Sequence, residues 1–243
     1  MRLRDQVCLV TGAASGIGRG IAQRFRAEGG RLVVADRNGP GVAAVARELD
    51  GFWVAVDVAD SSSVDRMVRT ALDAHGRIDV VVNSAGIGRL ASALETTNED
   101  WDEHLAINLT GTFYVCRRVA AEMTARRRGK IINIASIAGI VGYPGRAAYC
   151  VSKAGVVMLT KAMALDCAPH VQVNAICPGP VRTPLTEAAL SDPDARARKI
   201  AEVPAQRLGL PEDMAGAAVY LASADADFVT GHALVVDGGW RAR

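Results

Sequence analysis

The chain has 243 residues, half of them hydrophobic and 22% charged, enough to bury a substantial core without covalent or metal staples. A formal net charge of +2 argues against nucleic acid or an anionic membrane as partner. Five widely spaced cysteines, with no C-x-x-C pair, exclude a disulfide framework or zinc knuckle and fit a reducing, cytoplasmic setting.

Apolar runs and amphipathic stretches then alternate. "QVCLVTG" (6–12) predicts a first strand that ends in glycine. "GIGRGIAQRFRAEGG" (16–30) has helical spacing at Ile17, Ile21, Ala22 and Phe25 and stops at Gly-Gly. "RLVVAD" (31–36) predicts the second strand, 39–49 a helix, and "FWVAVDV" (52–58) the third strand. "SSSVDRMVRTALDAHG" (61–76) reads as a helix with serine caps and one apolar face of Val64, Met67, Val68, Ala71 and Leu72. "IDVVVNSAG" (78–86) is the fourth strand, and a long helix is expected over 98–126. "KIINIAS" (130–136), a helix from about 146 to 168, and "VQVNAICPG" (171–179) follow. A charged helical patch at 185–202, a helix opened by Pro211 and a last strand, "ALVVDGG" (233–239), complete the series.

The strands are nearly continuous Val/Ile/Ala runs, as expected when both faces are covered. The pattern predicts one α/β domain over residues 1–243: a doubly wound parallel sheet, a Rossmann fold, with about seven strands flanked by helices. The start of the chain is basic, but glycines break its apolar run at once, unlike a signal peptide. No charge-free apolar segment of 18 residues occurs, so no membrane-spanning helix is expected. No metal site is expected either.

Ligands of such sheets bind outside the carboxyl ends of the strands. After the first strand comes "TGAASGIG", with Gly12, Ser15, Gly16, Ile17 and Gly18 opening the first helix. Glycines let a backbone approach a pyrophosphate, and the helix N-terminus favours its charge. Asp36 closes the second strand, where a carboxylate can accept bonds from both adenosine ribose hydroxyls and repel a 2′-phosphate. Arg37 follows and can offset that repulsion or stack on adenine. On balance NAD(H) is the expected cofactor. Asp57 and Val58 are placed at the adenine, and Asn83, Ala85 and Gly86 of "NSAG" next to the cofactor.

Together with Asn108, Ser136, "YCVSK" (149–153), "PGPVRTP" (178–184) and the terminal "VDGG", these motifs resemble the short-chain dehydrogenases/reductases, in their compact soluble branch. The resemblance covers essentially the whole chain. One departure is Ser84, where the family usually has a second asparagine.

The chemistry of that family can be argued from the residues. Hydride transfer between a secondary alcohol and nicotinamide needs a group to take or give the alcohol proton. Tyrosine, with an ordinary pKa of about 10, is a poor base at neutral pH. Lys153 lies one helical turn beyond Tyr149, and its ammonium favours phenolate. Lys153 can also hold the nicotinamide ribose. Ser136, at the end of the fifth strand, can steady the substrate oxygen. The resemblance implies that Asn108 holds a water linking Lys153 to solvent. It also implies that Pro178, Gly179 and Val181 pass over the nicotinamide and that Thr183 bonds its carboxamide. Cys150 and Ser152 turn away from the Tyr149–Lys153 face; Cys150 is expected to pack and Ser152 to be a small neighbour.

A substrate lid is expected at about 184–204. Ile87, Arg89, Ile137, Ala138, Tyr143 and Leu185 are candidates for the substrate pocket, and Arg89 or Arg146 for binding a substrate anion. Trp240 is a candidate interface residue, since members of the family are usually tetramers; a homotetramer is expected. The leading expectation is an NAD(H)-dependent enzyme interconverting a secondary alcohol and a ketone. An NADPH-dependent 3-oxoacyl thioester reductase and a non-catalytic nucleotide-sensing module are the alternatives.

Overall fold

The computed structural model describes residues 1–242. Its strands are β1 (Val7–Thr11), β2 (Arg31–Asp36), β3 (Phe52–Ala55), β4 (Val80–Asn83), β5 (Gly129–Ile134), β6 (Val171–Pro178) and β7 (Ala233–Val236). All pairings are parallel, in the spatial order β3-β2-β1-β4-β5-β6-β7. The order runs outward from the β1–β4 pair, the switch point at which such sheets open a crevice. Thr11 pairs with Ala35 on one side and Asn83 on the other, and Asn83 pairs with Asn133. The carboxyl ends of the central strands therefore share one edge.

Successive strand residues enter opposite cores, as a period of two requires. Cys8, Val10, Leu32, Val34, Val80 and Val82 pack on one face, against α1 (Gly16–Ala27), α2 (Gly39–Leu49) and α9 (Pro211–Ala222). Val7, Leu9, Val33, Ala35 and Val81 pack on the other, against α3 (Ser61–His75), α5 (Gly111–Ala125) and α6 (Ala147–Asp166). Both faces are covered, which explains the unbroken apolar runs of the strands. The close approach of α1 and α9 needs Gly20: a Cβ there would lie 2.6 Å from the Pro211 Cβ.

Three local expectations change. The strand expected at 52–58 stops at Ala55, because β3 is an edge strand and the chain turns back over Asp57–Asp60. The serines do not cap α3. Asp60 does, accepting from the Ser62 N–H at 2.9 Å, while Ser63 Oγ accepts from the Asp57 N–H at 3.1 Å. The long helix at 98–126 is α4 (Asn98–His104) and α5 joined by a wide π-helical turn, Leu105–Thr110. That extra width carries Asn108 into the protein, where it is fully buried.

By composition α6 is long and apolar enough to cross a membrane. Its apolar character has two sources here. One face buries Ala148, Val156 and Ala164 beside Ser152, Lys153 and Thr160, and the other exposes Val151, Met158 and Leu165.

Candidate active site

A cleft of about 520 Å³ follows the carboxyl edge of the sheet. It is lined by Gly12, Ser15, Gly16, Ile17 and Gly18, by Asp36, Arg37, Asp57 and Val58, and by Ala85 and Gly86. Ser136, Tyr149, Lys153, Pro178, Gly179, Val181, Thr183 and Leu185 line the same cleft.

The glycine turn is built on strained positions and close contacts. Gly12 has φ 66° and Gly16 φ 55°, conformations that favour glycine. A Cβ on Gly12 would sit 2.7 Å from the Ala85 nitrogen, and one on Gly18 would overlap the Gly12 carbonyl. Ser15 precedes α1 in extended geometry and makes no side-chain cap bond, so the first N–H groups of the helix are not taken up by a cap. Asp36 fixes this turn: its carboxylate accepts from the Ala14 N–H at 3.1 Å and the Asn38 N–H at 2.9 Å. About two of the four lone-pair positions of this carboxylate remain for a ligand. The cap of α2 is Asn38, whose side chain accepts from the Gly41 N–H.

At the other end, Tyr149 and Lys153 stand one turn apart on α6, with Lys153 Nζ 5.9 Å from the phenol ring centroid. Ser136, after β5, hydrogen-bonds the Tyr149 hydroxyl. Lys153 is buried and donates to the Ile134 carbonyl at 2.8 Å. Burial pushes its pKa down to about 8. Burial also raises the Tyr149 pKa, opposed by the Ser136 hydrogen bond and then by the positive charge of Arg146. In the protein alone, desolvation therefore outweighs the cationic effect expected of Lys153.

Asn108 lies behind this pair. Its amide donates to the Ile87 carbonyl and the Ser152 hydroxyl, both at 3.0 Å, and its oxygen accepts from the Ile87 N–H at 2.8 Å. Gly86 separates it from Lys153: a Cβ there would lie 3.0 Å from Asn108 Oδ1 and 3.5 Å from Lys153 Nζ. Asn108 thus pins the strand-end loop to α6.

Several expected residues lie elsewhere. Asn83 does not line the cleft. It is buried and donates to Asn133 Oδ1 at 2.9 Å, in a network that continues from Asn133 to Thr160. The register pairs Asn83 directly with Asn133, which draws its amide into the sheet. Ala138 and Tyr143 also lie off the cleft lining. Ala138 is buried in the turn after β5, its N–H donating to Ser136 Oγ at 3.1 Å. Tyr143 instead bonds Lys199 of α8 (Pro193–Ala201). Arg89 points to carboxylates of its own chain, Asp100 at 2.8 Å and Glu103 at 2.5 Å, so its charge is already matched. Trp240 docks within the chain. It stacks on Tyr143 at 5.9 Å and donates to Glu202 Oε2 at 3.1 Å.

Other contacts at the site were not anticipated. Thr11 Oγ1 accepts from the Ser84 and Ala85 N–H groups at 3.2 and 3.3 Å, joining the ends of β1 and β4. Ser152 is fully buried, accepts from Asn108 and donates to the Tyr149 carbonyl at 2.8 Å. His104 Nδ1 bonds the Asp100 carbonyl, leaving Nε2 to accept from the Arg89 N–H at 3.2 Å. Thr186 accepts from the Thr183 N–H at 3.0 Å and donates to the Val181 carbonyl at 2.7 Å, setting the start of α7 (Pro184–Glu187). Of these, only the T-x-x-T spacing of Thr183 and Thr186 is a capping signal visible in sequence.

A family model described as enoyl-(acyl-carrier-protein) reductase matches residues 12–241. The D-threitol dehydrogenase of Mycolicibacterium smegmatis is 43% identical, over 98% of this chain and 94% of its own. The 3-oxoacyl-[acyl-carrier-protein] reductase of Thermotoga maritima is 38% identical, over 98% of this chain and 99% of its own. The crystal structure of levodione reductase superposes with a TM-score of 0.96 at 32% identity, covering 99% of both chains. With the seven-stranded parallel sheet, these matches show that the chain belongs to the short-chain dehydrogenase/reductase family, oxidoreductases that use nicotinamide cofactors.

Proposed function

We propose that this protein is an NAD(H)-dependent oxidoreductase that interconverts a secondary alcohol and a ketone, with Tyr149 as the acid/base. The observation that carries this reading is one cleft with Asp36 near the glycine turn and Ser136, Tyr149 and Lys153 together farther along the sheet edge. A dinucleotide fits the residues present, since a glycine cradle that any Cβ would fill lies beside a carboxylate.

When bound, the nicotinamide supplies or accepts the hydride. Gly12, Ser15, Gly16, Ile17 and Gly18 hold the pyrophosphate, and Asp36 with Arg37 receives the adenosine ribose. Asp57 and Val58 border the adenine. Ala85, Gly86, Pro178, Gly179, Val181 and Thr183 position the ring end, and Lys153 holds the second ribose. Ser136 steadies the substrate oxygen while Tyr149 Oη takes its proton in oxidation or returns it in reduction. Asn108, through Ile87 and Ser152, keeps the loop and α6 in register. Residues 1–243 act as one nucleotide-binding unit, with 184–204, including Leu185, as lid over the substrate. The exposed stripe Val151, Met158 and Leu165 supports assembly of copies into a homotetramer, in a reducing cytoplasm.

The relatives divide over substrate. The threitol dehydrogenase favours a small polyol, whereas the Thermotoga relative favours a second reading, reduction of a 3-oxoacyl thioester with NADPH. Turnover with NAD⁺ and NADP⁺ on a panel of diols and secondary alcohols, and with NADH and NADPH on an acetoacetyl thioester, separates the two. A Tyr149→Phe variant is expected to bind NADH as the wild type does and to lose turnover by about a hundredfold or more. Wild-type turnover in that variant would overturn the assignment.

A further inference from the structure

We propose that Arg146 is a positioning residue for the Tyr149 phenol, a second cation that favours its ionised form alongside Lys153. This rests on the acid/base reading of Tyr149 given above.

The geometry is a ladder of stacked groups. The Arg146 guanidinium lies 5.7 Å from the Tyr149 ring centroid and 5.8 Å from that of Tyr143. Tyr143 in turn stacks on Trp240 at 5.9 Å and bonds Lys199. Arg146 precedes α6 by one residue, so it stands one turn before Tyr149 as Lys153 stands one turn after. Its backbone is held too: Ala91 bridges to Arg146, and the Ala91 N–H donates to the Gly145 carbonyl at 2.9 Å. Among the described residues no carboxylate lies within ion-pair distance of Arg146. The contrast with Arg89, held by Asp100 and Glu103, is direct.

Two cations near one phenol differ in how dependable they are. A guanidinium stays charged at every pH the protein meets. The Lys153 amine, pushed down to about 8 by burial, does not. A cation over an aromatic face is attracted to the ring, and more so once the ring carries a phenolate charge. The other groups around Tyr149 do not supply that charge. Ser136 contributes a neutral hydrogen bond, and Cys150 and the buried Cys177 are thiols, the latter raised to about 11. Glu103 reaches the cleft from α4 and is matched by Arg89. Lys199 on α8 is matched by Glu202.

The test follows the ultraviolet absorbance of tyrosinate against pH. Each protein is compared with its own Tyr149→Phe counterpart, so that the difference isolates Tyr149 among the four tyrosines. Arg146→Met is expected to move the Tyr149 titration up by about one pH unit, and Arg146→Lys to restore most of that shift. Tyr143→Leu, which frees one face of the guanidinium, is expected to shift it in the same direction by less. An unmoved curve in a folded Arg146→Met protein, as judged by near-ultraviolet circular dichroism, overturns the proposal. If that variant does not fold, an unmoved curve in Tyr143→Leu does so. With a turned-over alcohol, the acid limb of kcat/KM should follow the same order. A rise in KM confined to anionic substrates, with the limb unmoved, would make Arg146 a substrate-binding group and also overturn the proposal. Failure of the acid/base reading is distinguishable, because Tyr149→Phe would then turn over normally whatever the titration shows.

Discussion

Lys153 is buried at the cost of its own charge, and that sets a measurable tension. A lysine whose folded pKa is depressed disfavours the folded state below about pH 8, and the penalty is relieved as pH rises toward the unfolded value near 10.5. A Lys153→Met variant is therefore expected to melt at higher temperature than the wild type at pH 7 without cofactor. The gain should be about 1–3 kcal/mol, reduced by loss of the bond to the Ile134 carbonyl. Turnover should be lost, and the difference in melting temperature should shrink between pH 8 and 10. A melting temperature below wild type at every pH would show that the Ile134 bond dominates. Tyr149 and Lys153 were legible as a pair because helical spacing alone puts them on one face. Ser152 was read as a small neighbour; its partners, Asn108 and the Tyr149 carbonyl, belong partly to another element and no local spacing announces them.

At the scale of the element, the α4–α5 helix and the β1–β4 junction show how local order is enforced. Apolar periodicity predicts one helix over 98–126, since a single widened turn leaves the pattern on either side intact. The structure shows that the widening is what turns Asn108 inward, with Thr112 Oγ1 capping its carbonyl at 2.7 Å. Away from the cleft, Asp79 ties the start of β1 to its neighbours. Its carboxylate accepts from the Val7 N–H at 2.9 Å and from Arg77 and Arg126, both at 2.8 Å. Burial opposes its ionisation, but these partners outweigh it and hold the carboxyl below its ordinary range. The stabilisation is complete above the ordinary carboxylate value near 4 and is lost as pH falls through the lower folded value. Asp79→Ala is expected to cost about 2 kcal/mol at pH 7 by chemical denaturation, and less at pH 3. An equal loss at both pH values would show that the charge plays no part.

For the whole molecule, the exposed apolar face of α6 is a feature that a single chain leaves unpartnered. Val151, Met158 and Leu165 are spaced seven residues apart and are 46%, 62% and 80% exposed. Met158→Glu places a charge at the middle of that stripe. It is expected to convert the proposed tetramer to smaller species in sedimentation or light scattering, with the helix content unchanged. A variant that keeps the wild-type mass would place the interface on another surface. Long-range contacts tie the segment 184–204 to distant parts of the chain, from Lys199 to Tyr143 and from Glu202 to Trp240.

The alternation of strands and helices, the two-sided core and the glycine turn after β1 followed from the sequence, because they rest on short-range rules. Those rules are apolar runs for strands covered on both faces, helical spacing, and glycines where φ is positive. What the sequence left open was decided by pairing between distant segments. Asn83 turned from the cleft into the sheet because its register partner is Asn133, and Arg89 was drawn into ion pairs with Asp100 and Glu103. Trp240 and Tyr143 stack on each other, and Trp240 bonds Glu202, a pairing of segments far apart in the chain. Charge compensation and hydrogen-bond satisfaction are settled by whatever group the fold brings within 3 Å or so. Residue spacing carries that information only within a helical turn or a strand pair.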